Sequence, residues 1–130
     1  MSTVEIDKGF PITCDKKSFY RLWLSFLAPI HHLTPQVIQI AAELLRHREE
    51  LSSKILDESL LTTYLLGPKI REQIMEECGV TLSTFRVTIN KLKKSGFLID
   101  GKINPKFIPG IGNPKRFAFA LVFNIVDSNE

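Results

Sequence analysis

The sequence predicts a mainly α-helical fold with a small β wing, an α+β class. Three observations carry this. Apolar residues recur at helical spacing in successive stretches between Asp15 and Ser95. Proline and glycine punctuate those stretches at Pro29, Pro35, Gly67-Pro68, Gly79 and Gly96. Phe97-Leu98-Ile99 then faces Lys102-Ile103 across Asp100-Gly101, a two-residue hairpin signal. At 130 residues, 44% hydrophobic and 24% charged, the chain can close one core without staples. The expected organisation is an arm at 1–14, one domain at 15–126 and a tail at 127–130. Within the domain, 15–67 supplies supporting helices, 68–95 a helical pair, and 96–126 the wing with a C-terminal strand.

Taken in order, 1–14 alternates weakly (Val4, Ile6) before Gly9-Phe10-Pro11 and reads as an arm or short edge strand. From Asp15, Phe19, Leu22, Trp23, Phe26 and Leu27 share one helical stripe, capped by Asp15 or Ser18 and followed by Pro29. The stripe suits a core or a dimer contact. Thr34-Pro35 starts a second helix with Val37, Ile38, Ala41, Leu44 and Leu45 buried and Arg46 to Glu50 as a charged, exposed end. Residues 52–67 read as a third helix, capped by Ser52 or Ser53 and closed by Gly67-Pro68. A fourth runs to Cys78, with Ile70 and Ile74 opposite Arg71, Glu72, Glu76 and Glu77.

Gly79 then turns a corner that requires positive φ, Val80 plugs it, and Thr81 caps the next helix. Phe85, Ile89 and Leu92 face inward there, with Thr88 beside them. Ser83, Thr84, Arg86, Val87, Asn90, Lys91 and Lys94 face outward. After the hairpin, Pro105 to Pro114 reads as a loop. Phe117, Phe119, Leu121, Phe123 and Ile125 then share one face of a strand expected to join the wing, or to pair with a partner.

Charge is uneven around this corner. Residues 43–78 hold five Lys/Arg against eight Asp/Glu, whereas 79–116 hold eight basic residues against Asp100 alone. A basic block laid over such a helix pair suits a phosphate backbone. The outward side chains suit the major groove. Arg reads guanine, Asn reads adenine, and a Val or Thr methyl touches thymine. Ser83, Thr84 and the lysines, with Lys102 and Lys106, suit backbone phosphates.

Other chemistries find little footing. Cys14 and Cys78 form no C-x-x-C spacing and read as thiols of a reducing compartment. No signal peptide and no membrane-length apolar run is visible. His31, His32 and His47 have no third ligand at i+4 in a favourable frame, so no metal and no cofactor are expected. No nucleophile–base pair or phosphate-cradling loop stands out, so no enzyme is expected.

The stretch IMEECGVTLSTFRVTINKLKKSGFLI, preceded by Leu33-Thr34-Pro35-Gln36, resembles the winged helix-turn-helix superfamily and, within it, the MarR-type regulators. The Lys102-Ile103-Asn104-Pro105 wing end is similar to the plasmid replication-initiator and phage-encoded branch. The resemblance covers 70–99 well and 33–105 loosely. It implies a winged helix-turn-helix with additional N-terminal helices and a C-terminal strand. The chain departs from that pattern in its 52–67 helix, its short acidic Asp100-Gly101 wing tip and its lack of a long C-terminal dimer helix.

The expected function is sequence-specific binding of double-stranded DNA by a transcription or replication regulator, with the 81–95 helix in the major groove. The alternative is a structural or adaptor protein, for example of a phage particle or replication complex. It would contact a homodimer or protein partner through 19–27 or 117–125, with no membrane. The expected location is the cytoplasm of a bacterial or phage-infected cell, with a virion as the other setting.

Overall fold

A computed structural model describes residues 11–109, 117, 119 and 123–127. Among these, five helices form: α1 (Lys16–His31), α2 (Pro35–Ser52), α3 (Glu58–Leu65), α4 (Pro68–Cys78) and α5 (Leu82–Ser95). A two-stranded antiparallel sheet follows, β1 (Leu98–Ile99) and β2 (Lys102–Ile103), and then a single 3-10 turn at Pro105–Phe107. The described fold is thus mainly helical with one small sheet. No described helix is long and apolar enough to cross a membrane.

Helix α2 is the hub, packing against α1, α3, α4 and α5. Its Ile40 and Leu44 meet Leu24, Ile74, Leu92, Phe97 and Phe107 in one buried cluster. Burying each such side chain contributes roughly 1.5–3 kcal/mol. Pro35 opens α2 at a position where a missing N–H costs nothing, and Thr34 precedes it in extended conformation without a side-chain cap bond. Gly79 closes α4 at φ 64°, a left-handed value that a side chain would strain. Thr81 caps α5 by accepting from the Thr84 N–H at 3.2 Å.

The hairpin forms as the dipeptide demands. Asp100 (φ 53°) and Gly101 (φ 74°) both take positive φ, and Leu98 faces Ile103 while Ile99 faces Lys102. Asn104 extends the closure, its N–H donating to the Phe97 carbonyl at 2.8 Å and its Nδ2 to the Gly96 carbonyl at 3.0 Å.

Several expectations change. Pro29 lies inside α1, and the helix ends two residues later at His31, with His32 left-handed behind it. Only the last turn is affected, so the missing Pro29 N–H costs one bond, and the His32 and Leu33 N–H groups close the end by donating to the Ala28 carbonyl. Asp15, not Ser18, is the cap of α1, accepting from the Ser18 N–H at 2.7 Å. The fully buried residues of α1 are Tyr20 and Leu24, one position round from the expected stripe, while Phe26 stays exposed. The single helix expected over 52–67 does not form. Helix α2 runs through Ser52, a break follows, and α3 starts at Glu58 behind an Asp57 cap that accepts from the Leu60 N–H at 3.0 Å. Asp57 outcompetes Ser52 and Ser53, whose hydroxyls instead donate back to the Glu49 and Glu50 carbonyls. Arg46 and His47 are not an exposed end, because both turn inward to meet Glu77 of α4.

Of the expected loop at 105–114, the first part is a 3-10 turn with Phe107 and Pro109 buried. The expected C-terminal strand is not formed at its described positions: Phe117, Phe119 and 123–127 lie in no strand. The Phe117 ring lies 5.4 Å from Phe19 and 5.5 Å from Trp23, and the Phe119 ring 5.1 Å from Trp23 and 5.6 Å from Phe26. Edge-on aromatic contact with α1 therefore takes the place of pairing with the hairpin. Most of the 1–14 arm, the rest of 105–122 and the end of the tail lie outside the described residues.

Candidate nucleic-acid interface

Helix α5 sets its two faces by spacing alone. Phe85, Thr88 and Leu92 are buried, and the Thr88 hydroxyl satisfies itself on the Thr84 carbonyl at 2.9 Å. Ser83, Arg86, Val87, Asn90, Lys91 and Lys94 follow at i, i+3, i+4, i+7, i+8 and i+11, and all are exposed on one stripe. Lys93 is exposed as well. Thr84 differs from the rest of the expected set. It is half-buried, and its hydroxyl accepts from Thr81 at 3.1 Å, so it belongs to the cap more than to the face. Lys102 is exposed on β2 and Lys106 on the 3-10 turn. The structure places these two off the α5 stripe.

The electrostatic state of this stripe is simple. Among the described residues, the side chains of Arg86, Asn90, Lys91, Lys93, Lys94 and Lys102 form no hydrogen bond or ion pair. The ion pairs among the described residues lie elsewhere. Lys16 with Glu49 joins α1 to α2, Arg48 with Glu58 joins α2 to α3, and Arg46 and His47 with Glu77 join α2 to α4. Three acidic residues of the 43–78 segment, Glu49, Glu58 and Glu77, thus join one helix to another, and no acid of that segment pairs with α5.

The α2–α4 joint was not anticipated. Glu43 and His47 lie one helical turn apart on α2, only 1% and 5% exposed, and Glu77 reaches them from α4. The Arg46 guanidinium donates to Glu43 Oε2 at 2.8 Å, Glu77 Oε2 at 2.6 Å and Glu50 Oε1 at 2.9 Å. Burial, and then the contact with Glu77, raise the Glu43 carboxyl above its ordinary range. Burial works against the Glu77 charge too, but hydrogen bonds from Glu43 and Arg46 outweigh it and hold Glu77 down to about 2. Cys78, next along α4, is pushed up to about 11 by burial and by Glu43, so it stays a thiol at neutral pH. The Glu43-to-His47 spacing is visible in the sequence, but Glu77 lies thirty positions beyond His47, where no local spacing points to it.

No family model, curated protein or solved structure matches this chain.

Proposed function

We propose that the chain binds double-stranded DNA as a winged helix-turn-helix regulator of transcription or replication, with α4 and α5 as the helix pair and β1–β2 as the wing. The observation that carries this reading is the α5 stripe, where Arg86, Asn90, Lys91 and Lys94 are exposed together with no acid paired to them. Cations left unpaired by their own fold keep their full attraction for phosphate. Arg86 and Asn90 lie one turn apart, which suits adjacent base edges, while Val87 between them, 52% exposed, suits a thymine methyl. Lys94 and Lys93 at the helix end suit the flanking backbone. The hairpin contributes Lys102 at most, because its tip is Asp100-Gly101.

The test is fluorescence anisotropy of labelled duplexes against salt. Each phosphate contact contributes about −0.9 to the slope of log K against log salt, so three to five contacts give a slope of roughly −3 to −4.5. Absence of duplex binding near ~50 mM salt, where electrostatic association is strongest, would remove this reading.

A second reading, an adaptor that contacts protein, is favoured by one observation. Leu60 (58% exposed) and Tyr64 (39%) lie one turn apart along the outside of α3, and Leu56 (95%) stands exposed just before its cap. Leu60 and Tyr64 border an apolar cleft of about 280 Å³ formed with Thr63, Gly67, Pro68 and Lys69. The 19–27 surface is less free for this role, since Phe117 and Phe119 already lie on it. Sedimentation of the chain and of Leu60→Asp separates the readings: an assembly that Leu60→Asp dissolves favours the adaptor, and a monomer in both disfavours it.

A further inference from the structure

We infer that Glu43, His47 and Glu77 form a binding site for a divalent first-row transition-metal ion, for which the Arg46 guanidinium is the built-in competitor. Each of the three residues offers one ligand atom, and all these atoms lie within 4.8 Å of one another. Ligands about 2.1 Å from a tetrahedral ion stand roughly 3.4 Å apart, so a small closure of side chains completes the shell. Two of the three donors are fixed by one turn of α2, and both are buried. The third comes from the last turn of α4.

The convergence point already holds a cation. Arg46 Nη2 lies 2.8 Å from Glu43 Oε2, 2.6 Å from Glu77 Oε2 and 3.4 Å from His47 Nε2. One positively charged nitrogen therefore touches all three donor groups, in the position an ion would take. Arg46 also has somewhere to go. Its Nη1 is bonded to Glu50, whose side chain is 59% exposed, so the guanidinium can turn outward without losing its acid partner. The carboxyl groups of Glu43, Glu50 and Glu77 share that one guanidinium.

The donor set selects the class of ion. One imidazole nitrogen with two carboxylates and no thiolate suits Zn²⁺, Fe²⁺ or Mn²⁺, whereas Mg²⁺ prefers oxygen and holds its water. Three protein ligands leave a fourth position for water.

The experiment is calorimetric titration of ZnCl₂ into the intact chain, with MgCl₂ in parallel and thermal unfolding followed in both. Wild type is expected to bind Zn²⁺ saturably and Mg²⁺ far more weakly. Arg46→Met, which keeps the aliphatic stem and removes the competitor, should bind Zn²⁺ about tenfold or more tightly. Glu43→Gln and His47→Ala should each weaken it by at least about 10–100-fold, the loss typical even of outer-shell changes. A tighter Arg46→Met is the outcome that a merely structural arginine would not produce. If that variant is unfolded alone, Zn²⁺-driven refolding seen by circular dichroism is the equivalent result, and failure to refold counts against the site. No saturable Zn²⁺ binding in either wild type or Arg46→Met overturns the proposal. So does undiminished binding in Glu43→Gln/His47→Ala, which would move the ion to His31, His32 or Cys14.

Discussion

Two charged regions lie either side of the Gly79 corner, and they treat their charges in opposite ways. At the α2–α4 joint every ionisable side chain has a partner. Arg46 serves three carboxylates, His47 faces Glu77 at 3.2 Å, and Glu43 and His47 are sealed from solvent. On the α5 stripe none is answered, and Arg86, Lys91 and Lys94 stand in water. The difference separates what charge does for folding from what it does for recognition. A buried, paired charge is costly to disturb and indifferent to salt, whereas an exposed, unpaired one adds little stability and remains available to a partner.

The largest expected effect breaks the paired side. Arg46→Ala leaves Glu43 buried beside Glu77 with no cation between them, and should cost about 3 kcal/mol of unfolding free energy. Urea denaturation at neutral pH measures it. A loss under ~0.5 kcal/mol, the range of an ordinary surface change, would mean that the joint does not hold α4 against α2.

The unpaired side should behave in reverse. Arg86→Ala should leave stability within about 0.5 kcal/mol, because the side chain is exposed and holds no hydrogen bond or ion pair. Under the proposed function it should cost about 1–3 kcal/mol of binding to a cognate duplex and relax preference at one base position. A stability loss of the size expected for Arg46→Ala would erase the contrast between the two regions.

This contrast also explains what the sequence made legible. The α5 face could be read because its inward and outward residues repeat within one helix, and because Gly79, Thr81 and Gly96 mark its borders chemically. The Asp100-Gly101 hairpin was legible for the same reason, since its turn chemistry is local. The joint depends on Glu77, thirty positions from His47, and on Arg46 and His47 turning inward on α2 rather than forming its exposed end. No local period announces either fact. The break between α2 and α3 turned on a contest between Ser52, Ser53 and Asp57 for the cap, which propensity leaves nearly level. The alternation over 117–125 was real as a pattern, but alternation cannot say whether its bulky face meets a strand or a helix. Phe117 and Phe119 meet α1.

A neutral contact provides an intermediate case. Trp23 Nε1 donates to the Phe107 carbonyl at 2.7 Å and ties α1 to the 3-10 turn behind the hairpin. Trp23→Phe keeps most of the aromatic surface and removes that donor, so it should cost about 1 kcal/mol in denaturant. The amide signals of residues 105–108 should shift with it, while those of α5 stay in place. Movement of both would mean that the tie carries strain into the helix proposed to meet DNA.

The smallest effect concerns a charge answered by backbone instead of by another charge. Asp15 is fully exposed, and its carboxyl is held below the ordinary 3.8 chiefly by the hydrogen bond from the Ser18 N–H, with the Ser18 side chain adding to it. A carboxyl depressed in the folded state stabilises above its ordinary pKa and loses that contribution as pH falls through the folded value. Helix α1 should therefore loosen at its first turn below about pH 3.8. Asp15→Asn retains an acceptor oxygen and cannot titrate, so its first turn should be insensitive over the same range. Following the Ser18 amide by NMR from neutral pH to pH ~2 decides the matter, since the cap carboxyl titrates within that span. An acid-dependent Ser18 shift that is the same in Asp15→Asn would place its cause elsewhere, in Glu49 or in global unfolding. Loss of the shift in the variant would establish that this end of α1 is pinned by a single ionised oxygen, a third way of holding a charge beside those of the joint and the stripe.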